Sequence, residues 1–278
     1  MTDQTLSQAL ALTPDDTGGL VATLTGAFSN ATRAMPPEKG APFGGLVAAL
    51  AASAARQGLG IETPLRSLTV QYLAAARFEP IALVPTLLRG GRNIAYAAVA
   101  AGQPDRPAVQ ALATFGRDVP GPTLTPLVAE AAAVDSLEST PLDARFGPWF
   151  TRYIEHRFES GPRLFGLNGP DNPVLRVWMR TTDAAPLDEA RLLFLLDGVY
   201  PIYWTALPAP PTISASVDLR ADLFGELTPE TSPDGWTFFE FRTMDLGGGW
   251  AVEDGVAFAP DGRPLAVVRQ RRKLMPAR

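Results

Sequence analysis

The sequence predicts an α+β fold made of two tandem repeats, each with a long central helix wrapped by a curled antiparallel sheet. Three observations support it: two helical segments that are apolar on nearly every face, strand-like runs around each of them, and a similarity between the two halves. A helix that is apolar all round must be surrounded by other structure, and a strongly twisted sheet can do this. We therefore expect each helix to have its own sheet and its own core.

The two central helices are predicted over residues 43–57 and 187–206. The first is rich in Ala and Leu, which are strong helix formers, and it follows Pro42. In the second, Asp188 and Glu189 fall in the first turn, where the positive end of the helix dipole favours anions. Both segments are apolar enough to be buried on most sides.

Strand patterns surround the two helices in the same order. One strand is predicted before each helix and four after it, with a further candidate over 152–160. The predicted strands cover 20–28, 67–78, 80–90, 93–102 and 107–116 in the first half, and 173–182, 213–224, 235–247, 251–259 and 264–274 in the second. Turn residues at 103–106 and 260–263 indicate antiparallel hairpins.

The two halves are also similar in sequence. Residues 88–109 align with residues 246–267 with a single deletion, and a Gly-Gly pair falls on a Gly-Gly pair. A repeat of this length indicates a duplicated unit rather than a solenoid. A helix inside a curled sheet is the hotdog fold, so the duplication predicts a double hotdog. Its parts are an N-terminal repeat (1–120), a linker (121–150) with a short helix near 128–133, and a C-terminal repeat (151–278).

Composition excludes several classes of protein. The chain has 278 residues, no Cys and one His, so disulfides, a thiolate nucleophile and a multi-histidine metal site are excluded. We expect no metal and no cofactor. The net charge of −5 argues against a nucleic-acid partner. The motifs GxSxG, GxGxxG and the P-loop are absent, so serine hydrolase, dinucleotide and ATP chemistry have no support.

The sequence predicts a cytoplasmic protein without membrane insertion. The first residues lack the basic and apolar regions of a secretory signal. The strongest apolar stretch, 46–55, is far shorter than the about 20 residues that span a bilayer. Arginine supplies nearly all of the cationic charge, which together with abundant Ala, Gly and Pro is typical of a GC-rich bacterial genome.

Four segments resemble the acyl-CoA thioesterase II (TesB-like) family of double-hotdog enzymes. They are PFGGLVAAL at 42–50, FLLDGVYPIYW at 194–204, PTISASVDL at 211–219 and GRPLAVVRQ at 262–270. The resemblance extends over nearly the whole chain and implies hydrolysis of acyl-CoA to a free acid and CoA. It implies that Asp197, Thr212 and Gln270 are the catalytic residues, which position the attacking water. We expect the protein to form a homo-oligomer, a dimer.

The chemistry of these residues leaves alternatives open. Asp197 interrupts an apolar helix, so its carboxylate needs partners. It either positions a water for attack on a thioester, or is satisfied by hydroxyls or water at a kink caused by Pro201. Gln270 alternates in step with Ala266 and Val268, so it faces the helix if they do. The alternative is a polar residue where the strand leaves the core.

The other candidate residues also have two interpretations. Thr212 falls on the polar side of its strand and is alternatively an exposed threonine. Gly44 and Gly45 open the first helix, where unpaired N–H groups can hold an oxyanion or carbonyl oxygen, or where glycines only allow close packing. Arg271 and Arg272 suit the phosphates of CoA, or only form a solvated strand end.

Two other functions remain on the same fold. The first is a non-catalytic module that binds acyl-CoA or an acyl lipid. The second is a hydratase, which is disfavoured because it needs an Asp and His pair. The single histidine, His156, is interpreted as a strand residue and not as a catalytic base.

Overall fold

A computed structural model describes residues 4–16, 18–159, 173–208 and 214–275 of the chain. Within them lie the α-helices α1 (Leu6–Ala9), α2 (Gly44–Leu59) and α3 (Glu189–Leu196). Short 3-10 helices cover Gly26–Phe28, Pro37–Lys39, Val134–Ser136, Trp149–Tyr153 and Ile202–Ala206. The strands are β1 (Thr13–Pro14), β2 (Leu20–Thr23), β3 (Leu65–Tyr72), β4 (Pro80–Gly90), β5 (Ile94–Gln103), β6 (Arg106–Gly116), β7 (Ile154–Phe158), β8 (Val174–Thr181), β9 (Ser214–Leu223), β10 (Thr237–Gly247), β11 (Trp250–Phe258) and β12 (Pro264–Leu274). The predicted α+β class is confirmed.

All these strands join one antiparallel sheet, in the order β1-β2-β4-β5-β6-β3-β9-β12-β11-β10-β8-β7. At its centre β3 pairs with β9, and Thr69 lies opposite Arg220. Outward from β3 come β6, β5, β4 and β2, just as β12, β11, β10 and β8 come outward from β9. The two halves of the sheet therefore have the same topology, and the hairpins predicted at 103–106 and 260–263 are present.

The expectation of a separate sheet and core for each helix is wrong. The half-sheets are continuous through β3 and β9, and the main hydrophobic core contains both helices together with both half-sheets. Leu50 of α2 and Phe194 of α3 are both fully buried in it. Because the two helices pack against each other, each one divides its apolar surface between its half-sheet and the other helix.

The helix α2 forms close to its predicted bounds. It begins after Phe43 and ends at Leu59. The chain leaves the helix at Gly60, whose φ of +62° lies in the left-handed region that glycine adopts without strain. The N–H of Gly60 bonds to the carbonyl of Gln57, which satisfies one of the last carbonyls of the helix.

The helix α3 is much shorter than the predicted 187–206. Asp188 caps its start by accepting a hydrogen bond from the N–H of Arg191, and the helix ends at Leu196. Pro201 has no N–H to donate, so the α-helical ladder cannot continue past Asp197. The chain turns there and re-enters as a 3-10 helix after Pro201.

The two helices are antiparallel. At one end of the pair the N–H of Gly45, in the first turn of α2, donates to Asp197, which follows α3. At the other end Arg56, in the last turn of α2, forms an ion pair with Glu189 at the start of α3, with 2.6 Å between nitrogen and oxygen. The dipole of α2 favours Asp197 at its start and Arg56 in its last turn, and the dipole of α3 favours Glu189 at its start.

The linker takes a path that the sequence did not predict. No helix forms at 128–133, and this segment lies without regular structure across the outer face of the second half-sheet. Ala129 and Ala131 pack against a small cluster that contains Trp178, and the indole N–H of Trp178 donates to the carbonyl of Ala132 at 3.0 Å. A six-residue helix gains little, because nucleation is costly, so these contacts decide the conformation.

Replacing Gly45 with Ala tests the close approach of α2 and α3. A Cβ at this position would lie 2.6 Å from ring carbons of Phe43 and 2.8 Å from the carbonyl oxygen of Phe194. We expect Gly45→Ala to lower the free energy of unfolding by about 1–3 kcal/mol in urea denaturation. Gly247→Ala is the control, because a Cβ there would meet nothing within 4 Å. Equal stability of the two variants would contradict the close packing.

Candidate active site

Asp197 lies directly after α3, where its backbone ends the helix. Its side chain is only 6% exposed, and its carboxylate accepts a hydrogen bond from the N–H of Gly45. A Cβ at Gly44 would lie 3.0 Å from Asp197 Oδ2. Both glycines therefore let the start of α2 approach the carboxylate, where the helix dipole favours negative charge. Three of the predicted residues, Gly44 and Gly45 of the first half and Asp197 of the second, are thus in contact.

Gln270 faces inward from β12, on the same side as Ala266 and Val268, as strand alternation predicts. Its Nε2 donates to Asp197 Oδ1 at 2.8 Å and to Ser216 Oγ at 2.7 Å. Asp197 and Gln270, which lie far apart in sequence, are therefore in direct hydrogen-bond contact.

Thr212 lies outside the described residues. The alternation that put it on the polar side of its strand does not hold along the whole of β9, because the strand carries a bulge. Arg271 lies opposite Asp218, whereas Arg272 lies opposite Ser216. As a result the hydroxyl of Ser216 faces the site, and sequence reasoning did not single out this residue.

Arg271 and Arg272 lie on opposite faces of β12. Arg271 is exposed, whereas the side chain of Arg272 is 10% exposed. The Nε of Arg272 donates to Glu253 Oε2 at 2.7 Å, and its Nη2 donates to Gln270 Oε1 at 2.6 Å. The prediction that both arginines lie in a basic cluster suited to phosphate is corrected for Arg272, because its guanidinium is engaged inside the protein. Phosphate binding stays a prediction for Arg271.

Glu253 is the second buried acid of the site. It faces inward from β11, directly opposite Gln270. One carboxylate oxygen accepts from Arg272, and the other accepts from the backbone N–H groups of Ile202 and Tyr203. Glu253 therefore caps the 3-10 helix that follows α3 and fixes the chain just beyond Asp197.

Strand alternation contained the signal for Glu253, which sequence reasoning missed, and for the burial of Arg272, which was interpreted as a surface residue. Glu253 is in step with the buried Ala251 and Ala257, and Arg272 is in step with Val268 and Gln270. A buried acid and a buried arginine that lie diagonally on adjacent strands imply an ion pair inside the sheet.

The charge of Asp197 is set by opposing effects. Burial raises the pKa of its carboxyl above the ordinary value. The positive charge of Arg272 opposes that rise, as do the hydrogen bonds from Gln270 and from the N–H of Gly45. The negative charge of Glu253 adds to the rise. A buried carboxyl with a raised pKa and three stabilising partners is typical of a functional site.

Two further titratable groups border the site, the half-buried Tyr72 and the buried His156. The hydroxyl of Tyr72, at the end of β3, donates to the carbonyl of Gly44 at 3.0 Å, and burial and the charge of Asp197 raise its pKa well above the ordinary value. His156 lies on β7, as predicted, with its Nε2 3.2 Å from the carbonyl oxygen of Gly198. Burial lowers the pKa of His156 to about 4, so the ring is neutral at pH 7.

A cavity of about 10 Å³ adjoins Asp197 and Gln270. Arg272 and Glu253 also line it, and apolar side chains form most of the remaining wall, namely Leu196, Val199, Ile202, Phe241 and Val268. This volume suits about one water molecule, which would find several polar partners there.

The other end of the helix pair has a different character. There Ala97 and Ala113 lie opposite each other across β5 and β6, just as Glu253 and Gln270 do across β11 and β12. A wider cavity of about 520 Å³ opens at that end, beside the ion pair between α2 and α3. The two halves share a topology, but the strand residues that hydrogen-bond to Asp197 or to Gln270 lie in the second half.

The described ranges contain no group of three or more His, Cys, Asp or Glu side chains that could hold a metal ion. No helix within them is both long and apolar enough to cross a membrane.

Two family matches cover most of the chain. Residues 10–116 match the acyl-CoA thioesterase N-terminal domain, and residues 129–271 match the acyl-CoA thioesterase C-terminal domain. The first match contains Gly44 and Gly45, and the second contains Asp197 and Gln270. No curated protein matches the sequence.

Solved structures of similar fold cover the chain almost completely. A hot dog fold protein from Alicyclobacillus acidocaldarius is 20% identical, with a TM-score of 0.83 and 98% of each chain covered. The tesB protein of Mycobacterium avium subspecies paratuberculosis is 19% identical, with a TM-score of 0.76 and 98% of each chain covered. Acyl-CoA thioesterase II TesB2 from Mycobacterium marinum is 18% identical, with a TM-score of 0.75 and coverage of 98% of this chain and 99% of that one. These likenesses show a hotdog fold, and the two domain matches show that the chain belongs to the acyl-CoA thioesterase family.

Proposed function

We propose that this protein hydrolyses acyl-CoA to a free acid and CoA with a water molecule held by Asp197, Thr212 and Gln270. The observation that carries the proposal is the buried contact of Asp197 with Gln270 beside the start of α2. A carboxylate can take a proton from water, an amide can orient it, and a helix start can hold an oxyanion. Membership of the acyl-CoA thioesterase family supports the same substrate.

Asp197 is the general base in the proposed reaction. Its carboxylate takes a proton from the water while the water oxygen attacks the thioester carbonyl carbon, which gives a tetrahedral intermediate. The carbon–sulfur bond then breaks, and the CoA sulfur receives the proton from Asp197. The products are the free acid and CoA, the carboxylate is regenerated, and no acyl group becomes attached to the protein.

The start of α2 is the proposed oxyanion site. The first N–H groups of a helix have no partner within the helix, and the positive end of its dipole lies there. A side chain at Gly44 would contact both Asp197 and Tyr72, so glycine keeps the approach to the carboxylate open. In this proposal Gly45 holds Asp197, and Gly44 holds the carbonyl oxygen of the substrate.

The size of the site bears on substrate binding. The cavity beside Asp197 accommodates about one water molecule but not an acyl group. We therefore expect acyl-CoA binding to widen the site. A panel of substrates should begin with short acyl chains, which need the smallest change.

The architecture that we propose is a double hotdog. The identical strand order on either side of the β3–β9 pair supports a duplication. The proposed parts are an N-terminal repeat (1–120), a linker (121–150) and a C-terminal repeat (151–278).

We also propose that the protein is a bacterial, cytoplasmic enzyme of lipid metabolism that acts as a dimer. Light scattering would measure its oligomeric state.

The first prediction from the proposed function concerns Asp197→Asn, which keeps the shape of the side chain but removes the base. General-base assistance contributes about 10²–10⁴-fold in rate, so we expect kcat for acyl-CoA hydrolysis to fall by that factor. Acyl-CoA affinity and the folded state should persist. Turnover, affinity and melting temperature are measured on the same purified protein.

The control for this prediction is Asp222→Asn, because Asp222 lies on β9 in a largely exposed pair with Arg220. It should keep wild-type turnover. Undiminished hydrolysis by a well-folded Asp197→Asn protein would refute the catalytic role. Wild-type protein that binds acyl-CoA but releases no CoA would favour a binding module.

A second prediction separates the two candidate hydroxyls. If Thr212 holds the water, Thr212→Ala removes a hydrogen bond to the reacting group, and kcat should fall about 10- to 100-fold. Ser216 contacts the amide of Gln270, so Ser216→Ala should have a smaller effect. A larger loss for Ser216→Ala would transfer the role to Ser216.

A third prediction concerns Arg271, the exposed member of the arginine pair. Arg271→Ala should raise KM for acyl-CoA about two- to fivefold at low salt and leave kcat unchanged, because a surface contact to phosphate is weak and screened. Arg92→Ala, in the exposed β4–β5 hairpin, is the control. An unchanged KM at low salt would show that Arg271 does not bind the phosphates.

A further inference from the structure

Two arginine–carboxylate pairs join β11 and β12, and they lie on opposite faces of the sheet. Arg269 and Asp254 pair on the outer face, with side chains 60% and 31% exposed. Arg272 and Glu253 pair on the inner face, with side chains 10% and 5% exposed. A buried pair is costly to desolvate, and apolar residues in its place often give equal or greater stability. Stability alone therefore does not explain the inner pair.

Arg272 determines which way the amide of Gln270 points. A guanidinium has only donors, so the amide atom 2.6 Å from it must be the oxygen. The amide nitrogen then faces Asp197 and Ser216, whose oxygens accept from it. An ionised Asp197 has only acceptors and favours the same orientation, and Arg272 adds a donor that holds the amide oxygen on the other side.

Arg272 also brings positive charge to Asp197, with 3.5 Å between Nη2 and Oδ1. Glu253 binds the same guanidinium through Nε. The three side chains form a buried series of negative, positive and negative charge. A base is most effective when its pKa lies near the working pH, so an Asp paired with an uncompensated arginine would be too weak a base.

Among the described residues, Arg272 and Glu253 supply the charges that shift the pKa of Asp197. Tyr72 of β3 and His156 of β7 are both neutral at pH 7. Tyr203, in the 3-10 helix after α3, interacts with Arg272, and α2 contributes the N–H of Gly45. The charge of Asp197 therefore depends mainly on Arg272 and Glu253.

We infer that Arg272 and Glu253 are positioning residues: Arg272 orients Gln270 and keeps Asp197 ionised, and Glu253 holds Arg272 while moderating its effect on Asp197. The effect on rate rests on the proposed thioesterase function. The effect on the charge of Asp197 concerns the free protein and is measured without substrate.

Two substitutions should move the pKa of Asp197 in opposite directions. Arg272→Met removes a charge that favours the carboxylate, so the pKa should rise by about 1 to 3 pH units. Glu253→Gln removes a charge that disfavours the carboxylate and keeps an acceptor for the 3-10 helix, so the pKa should fall. The measurement is a ¹³C NMR titration of protein labelled at the Asp carboxyl carbons, with the Asp197 signal identified by its loss in Asp197→Asn.

Two further variants separate charge from geometry. Arg269→Met removes the matched exposed arginine and should leave the pKa of Asp197 unchanged, because that charge is screened by solvent. Arg272→Lys keeps the charge but loses the planar fork that holds Gln270. It should leave the pKa near its wild-type value and lower kcat about 10- to 100-fold, as misplacement of a reacting group does.

The outcomes distinguish the inference from the proposed function. In each variant, the midpoint at which kcat/KM falls on the acid side of its pH profile should equal the pKa of Asp197 measured by NMR. A midpoint that does not change with this pKa would overturn the role in hydrolysis. Shifts of the pKa in the same direction, or none, would overturn the charge assignment. If Arg272→Met does not fold, the other two variants provide the test: the pKa of Asp197 should fall in Glu253→Gln, and in Arg272→Lys it should stay near its wild-type value while kcat falls. Opposite shifts in a protein that releases no CoA would support the charge assignment and end the proposed function.

Discussion

The contact between the start of α2 and the end of α3 is the constraint on which the rest of the structure depends. Two glycines let the first turn of α2 reach Asp197; a side chain at Gly45 would collide with its surroundings, and one at Gly44 would press against Asp197 and Tyr72. The pairing of β3 with β9 makes this possible, because it joins the half-sheets and places both helices in one core. The site therefore belongs to neither half alone, and separating the halves would divide Asp197 from Gly45.

Burial of a carboxylate in this contact demands compensation, since an unpaired charge in an apolar interior is costly. Asp197 receives hydrogen bonds from Gly45 and Gln270 and the positive charge of Arg272, and Arg272 is balanced in turn by Glu253. An apolar residue in place of Asp197 would need none of these partners. Such a network, built where packing alone would favour apolar residues, is expected at a functional site.

Much of this arrangement could be predicted from the sequence. Alternation along β12 predicted the inward side of Gln270, and the Ala and Leu content of α2 predicted that helix. The rest depends on tertiary structure. No residue type marks the bulge in β9, so Ser216 was missed, and Arg272 was interpreted as a surface residue because charged side chains are rarely buried. The apolar sequence after Asp197 suggested a continuing helix, although Pro201 prevents it.

The central claim is that water, and not the carboxylate of Asp197, attacks the thioester carbonyl at this site. The most direct measurement follows CoA release by the wild-type protein in ¹⁸O-labelled water, over acyl-CoA substrates of increasing chain length. After a single turnover, the ¹⁸O content is measured in the free acid and in the peptide that contains Asp197. The account predicts CoA release with one ¹⁸O atom in the free acid and none in the peptide. Label in Asp197, or no CoA release from any bound acyl-CoA, would contradict it.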